Sequence, residues 1–402
     1  MLTFFRLDNI FRIVKMFNIK TYNAISPLGL TKLTDEGYQV GEEMSDPDAI
    51  MLRSFKMHDV PVASTVKAIG RAGAGVNNIP VDKMSERGIV VFNAPGANAN
   101  AVKELVIAGM LIACRNLIPA WKYTTELSGS DEEVTKAVEA GKKKFAGFEL
   151  PGKTLGVIGL GAIGAQVANA ADMLGMKVIG FDPSITVQSA WQLSSNVKKM
   201  DTADELFREA DFVSFHVPLI EATKNLLNAE AIATMKDGSV ILNFAREGIV
   251  NDSAVLAAIK AGKIQAYVND FPSNEVKGHA GVYTLPHLGA STGEAEDNCA
   301  IMIAEQLKDF LNNGNIKNSV NFPNIKLARE GENRLAISNS NSPDMLAKIS
   351  HQLGESGVNI LRMANESRNE LAYTLIDVSS KPDVTTIDKI ANIDGVLSVR
   401  LI

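Results

Sequence analysis

Short apolar runs alternate with helix-like stretches through the middle of the chain. Between Thr154 and Asp270, the runs "TLGVIG", "MKVIGFD", "DFVSFHV", "SVILNF" and "IQAYVND" predict strands. Because these strands are almost continuously apolar, the pattern predicts a parallel sheet that is covered by helices on both faces. The helices are predicted at Ala162–Leu174, Thr202–Glu209, Ala229–Met235 and Asp252–Ala261.

The same alternation begins near Met16, where "AIMLRS", "VKAIGRAG" and "GIVVFNAPG" are the clearest strands. Two long helix-like stretches, Ala101–Asn116 and Gly293–Leu311, are placed to carry the chain into a second domain and back. The α/β pattern therefore predicts two Rossmann-like, doubly wound parallel-sheet domains with a cleft between them. We expect a discontinuous first domain at 16–100 and 289–320, and a second domain at 101–288.

The C-terminal region has a different pattern. Polar residues with Gly, Pro and many Asn predict a linker at Asn312–Asn333. Beyond it, residues 333–402 follow the order strand, helix, strand, strand, helix, strand, which predicts a small ferredoxin-like βαββαβ domain. At the other end, residues 1–15 are apolar and basic but lack a small-residue cleavage site. We expect an N-terminal extension there, and a surface amphipathic helix is the alternative.

Composition narrows the class of protein. Apolar residues make up 46% and charged residues 21%, which is typical of a globular protein with buried cores. The net charge of −6 comes without a basic block, so we expect no nucleic-acid partner. No apolar stretch is long enough to cross a bilayer, so we expect no membrane partner. Cys114 and Cys299 stand far apart, which argues against a disulfide or metal cluster and favours the reducing cytoplasm.

The segment "VIGLGAIGAQVANAADMLGMKVIGFDP" carries a candidate dinucleotide site. Gly159 permits a tight turn after a strand, Gly161 lets backbone N–H groups approach a pyrophosphate, and Gly164 lets the helix pack on the sheet. Asp182, at the end of the next strand, can accept hydrogen bonds from ribose hydroxyls and would repel a 2′-phosphate. The motif predicts NAD in preference to NADP. A glycine turn in an unrelated parallel-sheet protein is the alternative.

Further polar residues of the second domain are candidates for the chemistry, and three of them, Arg246, Asp270 and Glu275, follow strand-like runs. Arg246 lies in "NFAREGIVN", Asp270 and Glu275 lie in "NDFPSNE", and His287 lies in "LPHLGAST". In parallel sheets ligands bind outside the carboxyl ends of the strands, so these residues are candidates for a shared site. Each also has a structural explanation, as an exposed arginine, a packed histidine or a loop carboxylate. No metal site is predicted.

Four segments, "GRAGAGVNNIPVD", "ELPGKTLGVIGLGAIG", "NFAREGIVN" and "LPHLGAST", resemble the D-isomer-specific 2-hydroxyacid dehydrogenases. The similarity runs from about Asn18 to Leu311 and is greatest to members that act on D-3-phosphoglycerate. The C-terminal piece resembles the ACT domain that those members carry. The resemblance implies NAD-dependent oxidation of D-3-phosphoglycerate to 3-phosphohydroxypyruvate, the first step of L-serine biosynthesis. The alternatives are another D-2-hydroxy acid, such as glycerate or lactate, and an NAD(H)-sensing, corepressor-like binding protein.

The resemblance also implies residue roles in the second, NAD-binding domain. Arg246 would bind the substrate carboxylate, His287 would take the hydroxyl proton, and Glu275 would hold the imidazole. Asp270 would hold the nicotinamide carboxamide. The complete expected cofactor set is Gly159, Gly161, Ala162, Ile163, Gly164, Asp182, His216, Val217, Pro218, Ala245, Asp270, Gly289 and Ala290.

The resemblance assigns substrate binding to the first domain and regulation to the third. The expected substrate residues are Arg53, Ser54, Arg71, Gly73, Ala74 and Gly75, and the expected effector residues are Asn339, Asn341 and Asn359. L-serine is the implied effector, with a purely dimerising ACT domain as the alternative, and the implied assembly is a homodimer or homotetramer. This sequence departs from the family pattern at Glu247, at Ala290, in the twelve positions from Glu275 to His287, at Asn339 and at Asp344.

Overall fold

The computed structural model describes residues 16–22 and 24–402, and the predicted extension at residues 1–15 lies outside that range. The chain divides into two compact units. The discontinuous unit consists of Met1–Ala97 and Glu296–Ile402, and the central unit consists of Asn98–Ala295.

The first segment of the discontinuous unit forms a parallel five-stranded sheet in the order β2-β1-β3-β4-β5. This is a doubly wound order, in which the connections lie on both faces of the sheet. Its elements are β1 (Asn18–Tyr22), α1 (Pro27–Thr34), β2 (Gln39–Gly41), β3 (Ala49–Leu52), β4 (Ala68–Arg71), α2 (Val81–Glu86) and β5 (Val90–Phe92).

The central unit forms a parallel seven-stranded sheet in the order β12-β11-β10-β9-β6-β7-β8, with its reversal of strand order between β6 and β9. The elements are α3 (Ala99–Cys114), α4 (Leu117–Thr125), α5 (Asp131–Gly141), a 3₁₀ turn (Lys142–Phe145), β6 (Thr154–Ile158), α6 (Ala162–Met173), β7 (Lys177–Phe181), α7 (Val187–Ala190), β8 (Lys198–Lys199), α8 (Ala203–Glu209), β9 (Phe212–Phe215), α9 (Ala229–Thr234), β10 (Ser239–Asn243), α10 (Asp252–Lys260), β11 (Ile264–Asn269) and β12 (Val282–Thr284).

The chain then returns to the discontinuous unit and ends in an antiparallel sheet of order β14-β15-β13-β16. The βαββαβ pattern is confirmed, and with it the predicted fold class of two parallel α/β sheets and a small antiparallel one. The elements are α11 (Gly293–Asn313), β13 (Asn333–Ser340), α12 (Met345–Glu355), β14 (Ile360–Arg368), β15 (Leu371–Val378), α13 (Val384–Ala391) and β16 (Val396–Leu401).

The predicted linker is irregular, but it is not the solvated tether that its composition suggested. Phe322 is 0% exposed and Ile316 is 2% exposed, and both belong to the core of the discontinuous unit. The buried Asn321 side chain accepts a hydrogen bond from the Val91 backbone and donates one to the Ile89 carbonyl. The segment therefore pairs with β5 through the Asn321 side chain and also through its own backbone, because the Val320 N–H donates to the Val91 carbonyl. Composition alone does not reveal this pairing.

Candidate active site

The glycine-rich turn of the central unit joins β6 to α6. Gly159 has a φ of +89°, and a Cβ there would lie 2.6 Å from the His216 carbonyl oxygen. A Cβ on Gly164 would lie 1.9 Å from the Gly159 carbonyl oxygen, whereas a Cβ on Gly161 would meet nothing within 4 Å. The first and third glycines are therefore required by packing. The second leaves open space at the helix N-terminus, which fits a pyrophosphate.

Asp182 follows β7 and is tied to the glycine-rich turn. Its Oδ2 accepts a hydrogen bond from the Leu160 backbone N–H at 2.8 Å, and its Oδ1 accepts one from Ser184 N–H at 2.9 Å. These bonds fix the carboxylate beside the turn where the sequence predicts the adenosine ribose. A fixed negative charge at that point disfavours a 2′-phosphate.

His216 and Val217 follow β9 and pack directly on the same turn. The Val217 Cγ1 lies 2.7 Å from the position that a Cβ on Gly159 would occupy. The His216 Nε2 lies 2.8 Å from the Ser214 hydroxyl, and desolvation lowers the pKa of His216 to about 3. His216 is therefore neutral at physiological pH and forms an uncharged wall of the turn. Among the other predicted cofactor residues, Ala245 and Gly289 are buried, Ile163 and Ala290 are half-buried, and Ala162 and Pro218 are exposed.

Arg246 is exposed and follows the end of β10. Its Nη1 donates to the Ala245 carbonyl at 2.6 Å. The turn is held by Asn243, which is 1% exposed: its Nδ2 donates to the Arg246 carbonyl, and its Oδ1 accepts from the Ala245 N–H. Sequence reasoning missed Asn243. The available signal was a polar amide that ends a wholly apolar strand.

Asn269 is the equivalent residue on the neighbouring strand. It pairs in register with Asn243 and is 0% exposed. Its Oδ1 accepts from the Phe271 N–H at 3.0 Å, while its Nδ2 has no hydrogen-bond partner among the described residues. Two buried amides therefore shape the loops that follow β10 and β11, one bearing Arg246 and the other Asp270.

Asp270 and His287 are brought together. Asp270 is 1% exposed, and its two carboxylate oxygens accept from the backbone N–H groups of Leu288 and Gly289, each at 2.7 Å. Burial raises the pKa of Asp270, and these backbone donors and nearby His287 oppose that rise. In this structure Asp270 orders the loop that follows His287. Its predicted contact with the nicotinamide carboxamide stays a prediction.

His287 occupies an unusual backbone position, with a φ of +56°. Its ring is exposed and meets Phe271 edge-on, with the ring centroids 5.3 Å apart. Within residues 24–402, no side-chain hydrogen bond restrains the imidazole. A positive φ is costly for a residue with a side chain of this size, so contacts of the surrounding loop must hold the His287 backbone in this conformation. Such strained residues are common where a side chain is presented to a ligand.

Glu275 lies in the loop between β11 and β12 and does not hydrogen-bond to His287. Its Oε1 accepts from the hydroxyl of Ser253 in the first turn of α10, and it contributes with Glu247 to the negative surroundings of Asp252. Burial, followed by these carboxylates, raises the pKa of Asp252, although a hydrogen bond from Tyr267 opposes the rise. The Glu275–His287 pair therefore stays a prediction. Ser253 is a partner of Glu275 that sequence reasoning missed, because the contact joins residues from separate elements.

The predicted substrate residues meet at the carboxyl ends of β3 and β4 in the discontinuous unit. The Arg71 Nε donates to the Arg53 carbonyl at 3.1 Å, and the Arg53 Nη2 pairs with Glu296 at 2.6 Å. A Cβ on Gly73 would lie 2.4 Å from the Arg71 Nη1, so the guanidinium lies against the glycine turn. Ser54 is exposed, and Ala74 and Gly75 are half-buried in the same turn.

Two amides that sequence reasoning did not select hold the loops that follow β3 and β4. The Asn78 Nδ2 donates to the carbonyls of Arg53 and Phe55, and the Asn93 Nδ2 donates to the Ala74 carbonyl at 2.6 Å. Glu296 was also missed, because its partner Arg53 is remote in the sequence. The turn is therefore rigid on the side of the sheet where a substrate would bind.

In the antiparallel sheet, Asn339 and Asn341 line a cavity of about 200 Å³ together with Asn365. The Asn339 Nδ2 donates to the Ser340 carbonyl, and its buried Oδ1 has no hydrogen-bond partner among the described residues. The Asn341 Nδ2 donates to the Asn369 carbonyl at 3.0 Å. Asn359 is exposed and does not line this cavity. Two of the three predicted effector residues are thus brought together.

Residues 16–22 and 24–402 contain no cluster of His, Cys, Asp and Glu that could hold a metal ion. In the same part of the chain, no helix has the length and apolar character that a membrane span requires. Both cysteines are buried free thiols.

Comparison with known proteins identifies the family. Residues 107–290 match the model of the D-isomer specific 2-hydroxyacid dehydrogenase, NAD binding domain. The chain is 37% identical to a D-3-phosphoglycerate dehydrogenase of Methanocaldococcus jannaschii, over 92% of this chain and 67% of that protein. It is 31% identical to the D-3-phosphoglycerate dehydrogenase of Haemophilus influenzae, over 91% of this chain and 89% of that protein.

A solved structure gives the same result. The crystal structure of cofactor (NAD⁺)-bound 3-phosphoglycerate dehydrogenase from Entamoeba histolytica aligns with a TM-score of 0.59 and 27% identity, covering 76% of this chain and 99% of that one. The chain belongs to the D-isomer specific 2-hydroxyacid dehydrogenase family, and its central unit carries that family's NAD-binding domain.

Proposed function

We propose that this protein is an NAD-dependent dehydrogenase that oxidises D-3-phosphoglycerate to 3-phosphohydroxypyruvate, the first step of L-serine biosynthesis. The observation that carries the proposal is the arrangement of the central sheet. The glycine turn and Asp182 lie at the carboxyl ends of β6 and β7, and Arg246, Asp270 and His287 follow β10, β11 and β12 at the same edge. When the cofactor and the catalytic groups lie at the same edge of a sheet, the substrate can be held next to the nicotinamide for hydride transfer.

The nicotinamide of NAD supplies the acceptor for the hydride that leaves the carbon bearing the hydroxyl group. The proton of that hydroxyl passes to a ring nitrogen of His287, so the alcohol loses one hydride and one proton in total. Arg246 binds the substrate carboxylate through its planar donor fork and orients the carbonyl oxygen that forms. In reduction the same imidazole returns the proton.

Glu275 acts through His287 rather than on the substrate. A carboxylate that hydrogen-bonds to the imidazole favours its protonated form and therefore raises its pKa. In this structure the Glu275 carboxylate is held by the Ser253 hydroxyl. Pairing with His287 requires a conformational change that brings the two side chains within hydrogen-bond distance, and we assign this change to the binding of cofactor and substrate.

Arg53 and Arg71 bind the substrate phosphate. The Arg71 guanidinium lies against the Gly73 turn, and its Nε donates to the Arg53 carbonyl. Asn93 holds the backbone of that turn, and Asn78 holds the backbone that follows β3. Two arginines at the carboxyl ends of neighbouring strands suit a phosphate monoester, which needs several charge-assisted donors.

The domain boundaries, assembly and regulation complete the proposal. We assign substrate binding to 16–100 and 289–320, cofactor binding to 101–288 and an ACT-like regulatory role to 333–402. The cavity at Asn339 and Asn341 is the place for L-serine, and a homodimer or homotetramer is the expected assembly. Two buried free thiols that are remote in the chain favour the cytoplasm as its location.

The experiment is NADH oxidation by 3-phosphohydroxypyruvate, measured with the wild type and with His287→Asn. Loss of a positioned proton donor should lower kcat by about 10²–10⁴-fold. NADH affinity, measured by fluorescence, should stay within about threefold of the wild type because the loop of His287 is held by Asp270. An unchanged kcat would remove His287 from the reaction. NADH binding without turnover of any 2-oxo acid by the wild type would favour the sensor alternative.

A further inference from the structure

A groove of about 750 Å³ lies in the discontinuous unit, and its lining includes none of the cofactor, catalytic, substrate or effector residues named above. One wall is a face of α11, and the other is the irregular segment that follows this helix, with Gly96 and Ala97 at one end. Its volume lies in the range of pockets that bind small molecules and cofactors.

The groove contains a buried amide without a partner. Gln306 lines the groove and is 7% exposed, and neither its Nε2 nor its Oε1 has a hydrogen-bond partner among the described residues. A buried amide that makes no hydrogen bond is expensive, and most such groups in proteins are satisfied by protein, water or ligand. Gln306 therefore has one donor and one acceptor, side by side and without partners, next to the groove.

The surroundings of this amide are apolar on the sides and basic at the rim. Ile301 and Met302 are half-buried and present apolar surface to the groove, which suits a flat ring system, whereas Ile316 and Ile325 in the same lining are almost fully buried. At the rim, Lys317 and Lys326 are exposed and make no ion pair in the described part of the chain.

The groove lining also contains two carboxylates, and neither forms an ion pair with Lys317 or Lys326 in the described part of the chain. The Asp309 carboxylate accepts hydrogen bonds from the amides of Asn313 and Asn315. Lys308 is paired with Glu36 at 2.7 Å, and Glu305 is the remaining carboxylate of the lining. The two lysines are therefore available to an anionic group of a ligand.

We propose that this groove binds a nucleotide-sized anion: a planar base whose edge presents one donor beside one acceptor, joined to a phosphate. The amide of Gln306 pairs with the edge of a purine, as glutamine does with the N6 and N7 atoms of adenine. The apolar side chains flank the ring, and Lys317 and Lys326 bind the phosphate. The site is independent of the reaction proposed above and lies within one unit.

The test is calorimetric titration of the full-length protein with AMP after saturation with NADH, so that AMP cannot enter the dinucleotide site. NADH binding is checked first by fluorescence, which separates a failure of the proposed function from a failure of this site. Adenosine and inorganic phosphate are titrated in parallel. AMP is expected to bind, and each fragment is expected to bind at least about tenfold more weakly, because each keeps only one of the two sets of contacts.

Two variants locate the binding. Gln306→Met should weaken AMP binding by about tenfold or more, since two hydrogen bonds are lost, while Tm stays at or above the wild-type value because the removed amide has no partner. The double variant Lys317→Gln/Lys326→Gln should weaken binding by about three- to tenfold and reduce its salt dependence. Lys381→Gln removes the same kind of charge from an exposed residue outside the groove and should change nothing.

Three results would overturn the proposal: no AMP binding by the NADH-saturated wild type, an unchanged AMP affinity in a folded Gln306→Met variant, or inorganic phosphate binding as tightly as AMP. If Gln306→Met fails to fold, the lysine double variant and the comparison with adenosine decide the question, because neither depends on that substitution.

Discussion

Glu296 should compete with the substrate phosphate for Arg53, so replacing its carboxylate should tighten substrate binding. The Glu296 Oε1 lies 2.6 Å from the Arg53 Nη2, and the two side chains are 42% and 38% exposed. An ion pair this exposed contributes about 0.2–1 kcal/mol. A phosphate on the same guanidinium would also lie about 5 Å from the carboxylate, and repulsion at that distance in water is about 1 kcal/mol per pair of charges before screening.

A net gain of about 1 kcal/mol after screening corresponds to about a fivefold lower KM. The assay is NADH oxidation with Glu296→Gln, which keeps the shape of the side chain. KM for 3-phosphohydroxypyruvate should fall about fivefold with little change in kcat, and KM for unphosphorylated hydroxypyruvate should not change. Glu294→Gln, an exposed carboxylate on the same helix without an ion pair in the described residues, is the matched control. An unchanged or higher KM for the phosphorylated substrate would show that Glu296 and the phosphate do not compete for Arg53.

Further predictions concern other contacts. Asp182→Ala should weaken NADH binding and improve tolerance of NADPH, as measured from the two dissociation constants; unchanged values would contradict the ribose assignment. Arg334→Met should lower the free energy of unfolding in urea by about 3–5 kcal/mol, since it leaves the fully buried carboxylate of Asp377 unpaired. Adding Asp377→Leu should restore part of this loss, and the same free energy of unfolding in the single and the double variant would contradict the reasoning. Although burial alone would raise the pKa of Asp377, the hydrogen bonds from Arg334 lower it below its usual value. The contribution of this ion pair to wild-type stability should therefore be lost as the pH falls below about 4, and an unchanged free energy of unfolding there would contradict this. Ser253→Ala should free Glu275 and raise kcat or leave it unchanged, whereas a large loss of kcat would show that the serine contact is productive.

The features that depend on local sequence were predictable. The turn at Gly159, Gly161 and Gly164 has strict steric requirements, so its sequence is distinctive wherever the structure occurs. Asp182 follows the next apolar strand directly, and five strands of the central sheet are nearly continuous apolar runs: β6, β7, β9, β10 and β11. The same reasoning placed Arg246 and Asp270 after strands of one sheet, because parallel strands end at one edge.

The features that depend on tertiary contacts were not predictable. The pairing of Arg53 with Glu296 and of Ser253 with Glu275 joins residues from separate elements, and no local pattern records either contact. Asn243 and Asn269 carried a weaker signal, because an amide that ends an apolar strand needs a hydrogen-bond partner.

The sequence analysis did not predict helices α4 and α5, for two different reasons. Helix α4 has no buried residue, so it lacks the apolar periodicity on which sequence reasoning depends. Helix α5 begins with a capping box between Ser130 and Glu133. The sequence does contain that signal, but a search for apolar periodicity alone passes over it.

The decisive measurement is kcat/KM for NADH-dependent reduction of 3-phosphohydroxypyruvate, compared with that of hydroxypyruvate, which lacks the phosphate. If Arg53 and Arg71 bind the phosphate, its removal should lower kcat/KM by at least about tenfold, since each charge-assisted contact is worth about 1.5 kcal/mol or more. Equal values for the two substrates would contradict the assignment of this protein to a phosphorylated 2-hydroxy acid.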